Sequence, residues 1–128
     1  MVVKVTEGIE VQVRTNFDLR HSKPNSDFFW FNYRIRIENK SSDAVQLLRR
    51  HWLIYDSFLL TNEVEGEGVV GETPYIEPGD SHSYDSHCNL HTDMGFMEGT
   101  YLMKRISDGH LFFVDIPKFG MVAPFRLN

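Results

Sequence analysis

The sequence is poor in the residues that build helices, disulfides and membrane spans. Alanine, the best helix former, occurs only twice in 128 residues, which weighs against a helical protein. The single cysteine, Cys88, allows no internal disulfide; this favours a reducing compartment, and we expect a cytoplasmic protein. No run approaches the ~20 consecutive apolar residues that a membrane-spanning helix requires, so we expect no membrane association.

Positive charge is also scarce. The 13 Lys and Arg residues stand against 18 Asp and Glu, which gives a formal net charge of −5. A dedicated nucleic-acid-binding domain normally presents a concentrated basic face. The basic pairs Arg34 with Arg36 and Arg49 with Arg50 are too local to form one, so we expect no nucleic-acid partner.

Aromatic residues, in contrast, are abundant and fall into alternating patterns. The ten Phe, five Tyr and two Trp suit pleated, half-buried strands. Residues 9–17 and 29–37 alternate with period two, which is typical of strands with one buried face. Phe28 and Trp30 interrupt the polar face of the second strand; this predicts either cover by a neighbouring loop or terminus, or an exposed binding patch. The predicted inward residues are Ile9, Val11, Val13, Thr15 and Phe17, then Phe29, Phe31, Tyr33, Ile35 and Ile37.

Turn-forming residues divide the rest of the chain into further short strands. A change of parity between Leu47 and Leu48 predicts a β-bulge, since one extra residue shifts later side chains to the other face. Pro78-Gly79 predicts a turn, and Asp108-Gly109 predicts a two-residue type I′ hairpin with positive φ at both residues. The remaining predicted segments are a loop at 22–26, strands at 45–54, 59–64, 81–88 (an edge strand), 97–104 and 111–116, a glycine-rich bend at 66–71, and a tail whose Phe119, Met121, Phe125 and Leu127 pack on the body.

Seven or more short strands with turns at regular intervals predict an all-β sandwich or barrel. No window of 12 residues keeps a helical period and avoids Gly and Pro. A chain of this length has room for one hydrophobic core, so residues 1–128 are expected to form a single domain.

Several of these segments form one pattern that spans most of the chain. Residues 64–79 read Val-Glu-Gly-Glu-Gly-Val-Val-Gly-Glu-Thr-Pro-Tyr-Ile-Glu-Pro-Gly, a glycine loop followed by a Pro-x-x-x-Pro-Gly turn, and residues 48–52 with Asp56 precede that loop. The pattern continues at Tyr84, Ser86, Leu90, Thr92, Gly95, Met97, Gly99 and Tyr101, and at residues 114–117 with Phe119, Pro124, Leu127 and Asn128. Together these residues resemble the ApaG family, with similar segments at each of these places.

The resemblance implies a fold like that of immunoglobulin or fibronectin type III domains, with two packed antiparallel sheets of seven or more strands. It implies a non-catalytic binding or regulatory domain, since no established catalytic residues come with the family and related eukaryotic domains look like protein-interaction modules. The family is linked genetically to cobalt and magnesium resistance or efflux. We therefore expect another protein as partner, with a homodimer as a further possibility, and no cofactor.

The glycine loop is the one segment with a recognisable ligand motif. Residues 66–71 fit G-x-G-x-x-G, and a pyrophosphate-binding role has been suggested for this loop in the family. That chemistry needs a helix N-terminus after the motif, whereas residues 72–75 do not open an amphipathic helix, and three glutamates surround the loop. The competing prediction is architectural: the glycines permit positive φ and close approach of the sheets. The candidate nucleotide- or pyrophosphate-binding residues are Gly66, Gly68, Val69, Val70 and Gly71.

His87 and His91 form the strongest pair of candidate metal ligands in the sequence, because imidazole suits zinc. Adjacent residues of a strand point to opposite faces, so Cys88 cannot join His87 without a bulge, and we expect incidental surface histidines. The same divergence separates Ser86 from His87, and there is no G-x-S-x-G elbow, so we assign no catalytic residue. Cys88 itself is expected to be a small, partly buried apolar residue.

Arg50 and Trp52 lie two residues apart on one strand face, which predicts that the guanidinium stacks on the indole. The alternative is core packing with a satisfied charge. Aromatic anchors with an arginine are favoured at the centre of interfaces, so Phe28, Trp30, Arg50 and Trp52 are the predicted interaction surface. A nucleotide or pyrophosphate site at residues 66–71 is the alternative function.

Overall fold

The structure is a computed structural model that describes residues 1–124. Within those residues it has nine β-strands and one short 3-10 helix, Pro24–Ser26. The strands are β1 (Val2–Thr6), β2 (Ile9–Lys23), β3 (Phe28–Asn39), β4 (Val45–Asp56), β5 (Leu59–Glu67), β6 (Tyr75–Ile76), β7 (Ser81–Leu90), β8 (Met94–Arg105) and β9 (Leu111–Val122).

The strands form two antiparallel sheets. One sheet has the order β1-β2-β3-β7, and the other has the order β5-β4-β8-β9 with β6 paired to the start of β4. The predicted antiparallel sandwich is therefore confirmed, and β7 is an edge strand as predicted. A closer likeness to immunoglobulin or fibronectin type III domains stays a prediction.

The core lies between the sheets and follows the period-two pattern. All five predicted inward residues of β3 are buried, as are Ile9, Val11 and Val13 of β2. Each such side chain contributes roughly 1.5–3 kcal/mol when it leaves water. Thr15 was expected on the same face but is exposed; its hydroxyl donates a hydrogen bond to the carbonyl of Asn32 at 3.0 Å.

The predicted bulge in β4 is confirmed. The pairing of β4 with β8 shifts between Leu47 and Arg49, so Leu48 is the extra residue. Leu47 is buried before the bulge, and Trp52 is buried after it although its parity differs. The bulge thus lets one strand supply the core on both sides of the irregularity.

The sequence analysis missed two short strands and made others too short. β1 and β6 were not predicted, and β5 continues through Gly66 and Glu67, which were expected in a bend. β2 continues to Lys23, so the predicted loop at 22–26 is shorter. In each case backbone pairing with a neighbour extends the strand beyond the side-chain alternation that the prediction used.

The two predicted turns have different outcomes. Pro78-Gly79 is a turn: Gly79 has φ +86° and the Asp80 amide donates to the carbonyl of Glu77 at 3.0 Å. The prediction of a two-residue hairpin at Asp108-Gly109 is wrong. Gly109 has positive φ (+74°) but Asp108 does not, and the strand pairing ends at Lys104 and Leu111. The longer connection avoids placing Asp108 in a left-handed conformation.

The predicted apolar tail is largely a strand. Phe119 and Met121 belong to β9 and are buried, while Phe125 and Leu127 lie outside the described residues. Within residues 1–124 the structure contains no helix with the length and hydropathy to cross a membrane.

Candidate functional site

The two sheets close against each other on one side of the sandwich, where β1 and β2 pack on β9. On the opposite side, β5 ends one sheet and β7 ends the other. A groove of about 660 Å³, lined by residues of both edge strands, opens on this side. Ligand-binding clefts usually measure ~300–1,000 Å³, so this groove is the candidate functional site.

Aromatic and apolar residues form the floor of the groove. The rings of Tyr33 on β3 and Trp52 on β4 have centroids 5.7 Å apart with 59° between their planes. Ile54, Val64 and Met97 line the same space. These inward side chains belong to the core, so an apolar group entering the groove would contact the core directly.

Two tyrosine hydroxyls meet at the inner end of the groove. The hydroxyls of Tyr84, which lines the groove, and Tyr101, which is fully buried, share a hydrogen bond. Burial raises the pKa of Tyr84 and of Tyr101 above the ordinary value of a phenol. Both groups are therefore neutral at physiological pH, and the floor carries no phenolate charge.

Cys88 also lines the groove, and its thiol is protonated. Burial, and to a smaller extent the charge of Asp56, raise the pKa of the Cys88 thiol to about 12. The side chain is 7% exposed, as expected for a small apolar residue. A nucleophilic cysteine needs a lowered pKa, which this environment opposes.

The glycine loop is a tight hairpin at one end of the groove. Val69 and Glu72 exchange both of their backbone hydrogen bonds, at 2.8 and 3.0 Å. The two central residues, Val70 and Gly71, have φ of +48° and +78°, as a type I′ turn requires. Val69 is buried, whereas Val70 is 66% exposed, and both line the groove.

The loop amides favour the architectural prediction over phosphate binding. The Gly68 amide donates to the carbonyl of Leu48 at 2.8 Å, and the amides of Val69 and Glu72 donate to each other's carbonyls. A Cβ on Gly68 would clash with the carbonyl oxygen of Glu72, so a glycine is needed there for close approach. After the hairpin the chain enters β6 at Tyr75 and not a helix.

Arg50 holds the base of this hairpin. Its Nη1 donates to the carbonyls of Glu67 and Gly68 at 2.9 and 3.0 Å. A Cβ on Gly66 would lie 3.0 Å from Arg50 Nη1, so the missing side chain makes room for the guanidinium. The charge of Arg50 is therefore satisfied, as the alternative prediction expected. Its partners are backbone carbonyls of the loop and not the indole of Trp52.

The four residues of the predicted interaction surface do not share one face. Trp52 is buried at 3% exposure, and Arg50 lies beside it on the groove. Phe28 and Trp30 are half-buried on the outer face of β3, because Phe29 and Phe31 take the inward positions. Phe28 and Trp30 themselves do not line the groove, although His87, which stacks on Trp30, is one of the residues that do.

Two histidines lie against Trp30, where the sequence predicted either cover by a loop or a terminus or an exposed binding patch. The indole stacks on His87 of β7, with centroids 4.0 Å apart, and faces His21 at 5.3 Å. Its Nε1 donates to Asn32, whose amide donates to Asp18. The hydrogen bond from Asn32 is the main reason that the pKa of Asp18 falls to about 2.

The two candidate metal ligands both line the groove. The ring of His87 stacks on Trp30, whereas His91 is held through its backbone, whose amide donates a hydrogen bond to Asp56 at 2.7 Å. Among residues 1–124 there is no group of three or more His, Cys, Asp or Glu side chains that could hold a metal ion.

Asp56 joins two turns at the other end of the groove. Its carboxylate accepts hydrogen bonds from the amides of His91 and Thr92, and from the Thr92 hydroxyl. It is 7% exposed, so these bonds replace the water that the charge loses. Sequence reasoning named Asp56 only as part of a family pattern, because its partners lie 35 residues away.

The groove itself was also missed. Its existence depends on which strands end the two sheets, and the sequence analysis predicted only that residues 81–88 form an edge strand. A second signal was overlooked: five of residues 59–67 carry polar or acidic side chains, which is typical of an edge strand.

Comparison with known proteins gives consistent matches. A family model described as the ApaG domain matches residues 19–105. Protein ApaG of Anaeromyxobacter dehalogenans (strain 2CP-C) is 44% identical over 128 residues, which cover 100% of both chains. Protein ApaG of Paramagnetospirillum magneticum is 44% identical over 131 residues, again 100% of both. The crystal structure of an ApaA protein from Bordetella pertussis has a TM-score of 0.87 and 36% identity, and covers 91% of this chain and 94% of its own.

Proposed function

This chain belongs to the ApaG family, and we propose that it is a non-catalytic binding domain that holds part of another protein in the groove between β5 and β7. The observation that carries this proposal is the open side of the sandwich, where about 660 Å³ of space reaches the aromatic core. The floor residues Tyr33 and Trp52 are only 6% and 3% exposed, so the groove is a shallow apolar trough over the core and does not leave large aromatic surface in water. An occupant with apolar side chains would fill it.

The chemistry around the groove supports binding over catalysis. Ser86 faces the groove side of β7 while His87 stacks outward on Trp30, so this Ser-His pair does not converge. Cys88 is protonated, with a raised pKa of about 12. Nucleophilic catalysis requires an activated nucleophile next to a base, and neither Ser86 nor Cys88 has that environment.

A cytoplasmic location and a regulatory part in cobalt or magnesium resistance belong to the same proposal. The lone, buried Cys88 suits a reducing compartment. Any connection with metal resistance would run through the bound protein, since side chains arranged as a metal site are not found within residues 1–124.

Comparative capture from a cell extract tests the proposal. Asn62 pairs with inward-facing Ile54 and lines the groove, so Asn62→Trp should fill the groove and reduce the captured partner by at least about tenfold. Ser83→Trp is the matched control, because Ser83 is exposed on the outer face of the other edge strand. Equal capture by both variants and the unmodified protein would refute a binding role for the groove.

The alternative function is binding of a nucleotide or pyrophosphate at residues 66–71. A melting experiment distinguishes it from protein binding. Binding of ATP or pyrophosphate at about 100 times its Kd would add ~2.7 kcal/mol of stability. We expect no shift in Tm, because the amides of Gly68, Val69 and Glu72 are already bonded to carbonyls. A shift that disappears in a Val70→Pro variant would favour the phosphate hypothesis.

A further inference from the structure

The strand β5 has a free backbone edge beside the groove. Among the described residues it pairs with β4 alone, and it ends its sheet. A strand in this position presents a row of N–H and C=O groups that can pair with another extended chain. Addition of a strand to such an edge is a common way for domains to bind peptide segments.

The two faces of β5 differ in chemistry. Asn62, Val64 and Gly66 pair with Ile54, Trp52 and Arg50, all of which line the groove or its floor. The residues that alternate with these three point to the opposite face and are acidic: Glu63, Glu65 and Glu67.

We propose that the partner contributes an extended segment of alternating basic and apolar residues, which adds to β5 as a further strand of that sheet. This inference rests on the proposed function of the groove and specifies its occupant. Apolar side chains of the segment lie over Asn62, Val64 and Gly66 and fill the groove. Basic side chains lie on the other face, beside the three glutamates, because strand residues alternate between faces.

The charges around β5 favour a basic segment. Glu63 and Glu65 have partners on β4, at 2.6 Å from His51 and 3.9 Å from Arg49, but both glutamate side chains are more than half exposed. Exposed pairs of this kind contribute little, so the carboxylates can accept a second cation from an added strand. The net charge of −5 also attracts a basic segment over a distance.

Protection of an edge strand against aggregation is the simplest other role for such glutamates. The first residues of β5 do not fit that role, because Leu59 and Leu60 are 72% and 53% exposed and Phe58 before them is 80% exposed. An edge strand that only repels neighbours would not begin with two exposed leucines directly after an exposed phenylalanine. The apolar residues of an added strand would cover part of this surface.

A peptide panel tests the pattern on the full 128-residue protein. The probe is a labelled peptide of about eight residues, near the usual strand length, in which Lys and Val alternate. The controls are a peptide with the same residues in a Lys block and a Val block, and one in which Glu alternates with Val. Fluorescence anisotropy should show the alternating Lys-Val peptide binding at least about tenfold more tightly than either control. Equal affinity of the block peptide would overturn the proposal, because charge alone would then explain binding.

Backbone methylation tests strand addition itself. N-methylation of alternate residues removes the N–H groups on one edge of the peptide, and methylation of the other alternate set removes those on the opposite edge. One set should abolish binding and the other should leave it within about threefold, since an added strand pairs through one edge. If neither set has an effect, the peptide does not add as a strand.

Charge reversal tests the three glutamates. The combined variant Glu63→Lys, Glu65→Lys and Glu67→Lys should prefer the Glu-Val peptide over the Lys-Val peptide. A control variant changes Glu7, Glu77 and Asp80 to Lys; these residues are exposed outside β5 and give the same change in net charge. Circular dichroism establishes that each variant is folded. Unchanged preference in the β5 variant would overturn the assignment of the basic face.

These outcomes are distinct from a failure of the proposed function. If Asn62→Trp reduces partner capture while methylation and charge reversal have no effect, the groove binds a partner but not by strand addition to β5. If Asn62→Trp also leaves capture unchanged, both proposals fail.

Discussion

Burial controls the reactivity of the single thiol in this protein. Burial raises the pKa of the Cys88 thiol to about 12, so at pH 8 the folded protein holds much less thiolate than the unfolded chain. We therefore expect Ellman's reagent to modify Cys88 at least about tenfold more slowly in buffer than in denaturant, because the thiolate is the reactive form and the side chain is buried. Similar rates in the two solvents would show that the thiol is accessible and ionised. Because Cys88 is the only cysteine, no second thiol contributes to the signal.

Single residues were predictable where their environment is local. Alternation placed Phe31 and Ile35 in the core, because the period of a strand depends only on neighbouring positions. The partner of Arg50 was not predictable, since the carbonyls of Glu67 and Gly68 approach it only after β5 returns along β4. Asp56 is similar: its carboxylate is satisfied by amides from a turn that is distant in sequence.

At the level of elements, the hairpin of residues 69–72 contains a β-branched residue in an unfavourable conformation. Val70 has φ +48°, whereas a type I′ turn favours Asn followed by Gly, and Gly71 already follows. Val70→Asn should therefore raise the free energy of unfolding by about 1 kcal/mol, because Asn tolerates the left-handed region. Little apolar burial is lost, since Val70 is 66% exposed. Urea unfolding measures the change.

The same substitution should weaken binding of a partner, because Val70 lines the groove. Val122→Asn is a suitable control: Val122 is 38% exposed at the end of β9 and is not among the residues with positive φ. A gain in stability from Val122→Asn equal to that of Val70→Asn would show that relief of backbone strain is not the cause. No gain from Val70→Asn would contradict the turn assignment.

Strands with strong alternation were predicted, whereas strands defined by their neighbours were not, and turn residues predicted the position of a turn better than its length. β3 and the bulge in β4 follow from side-chain parity. β1 and β6 are short strands that pair with β2 and with the start of β4, and their own residues carry little alternation. A glycine-rich bend was expected at 66–71, whereas the hairpin comprises residues 69–72, because Gly66 and Glu67 belong to β5.

At the scale of the molecule, the sandwich was predictable and its open side was not. A buried face on each of several strands requires two layers, which alternation alone indicates. The groove depends on the orders β1-β2-β3-β7 and β5-β4-β8-β9, which leave β5 and β7 at edges on the same side. Strand order is set by contacts between distant segments. Residue patterns could therefore suggest that β7 is an edge strand, but not that β5 lies across the groove from it.

The buried tyrosines make the stability of the whole molecule depend on alkaline pH. Burial is the main cause that raises the pKa of Tyr33, Tyr84 and Tyr101 above 10. The folded protein therefore binds more protons than the unfolded chain above pH 10. Its stability is fully present below pH 10 and falls as the pH rises through and beyond that value, by about 1.4 kcal/mol per pH unit for each proton released on unfolding.

We expect the phenolate absorbance of these tyrosines to appear together with loss of the β-sheet signal in one transition above pH 10. The double variant Tyr84→Phe and Tyr101→Phe removes both partners of a buried hydrogen bond, so no hydroxyl is left unpaired, and should flatten the pH dependence. Tyr84→Phe alone leaves the Tyr101 hydroxyl without that partner and should be the less stable of the two at pH 7. Full phenolate absorbance from a protein that keeps its native circular dichroism would show that solvent reaches the tyrosines through the groove, and the floor would then be wetter than its packing implies.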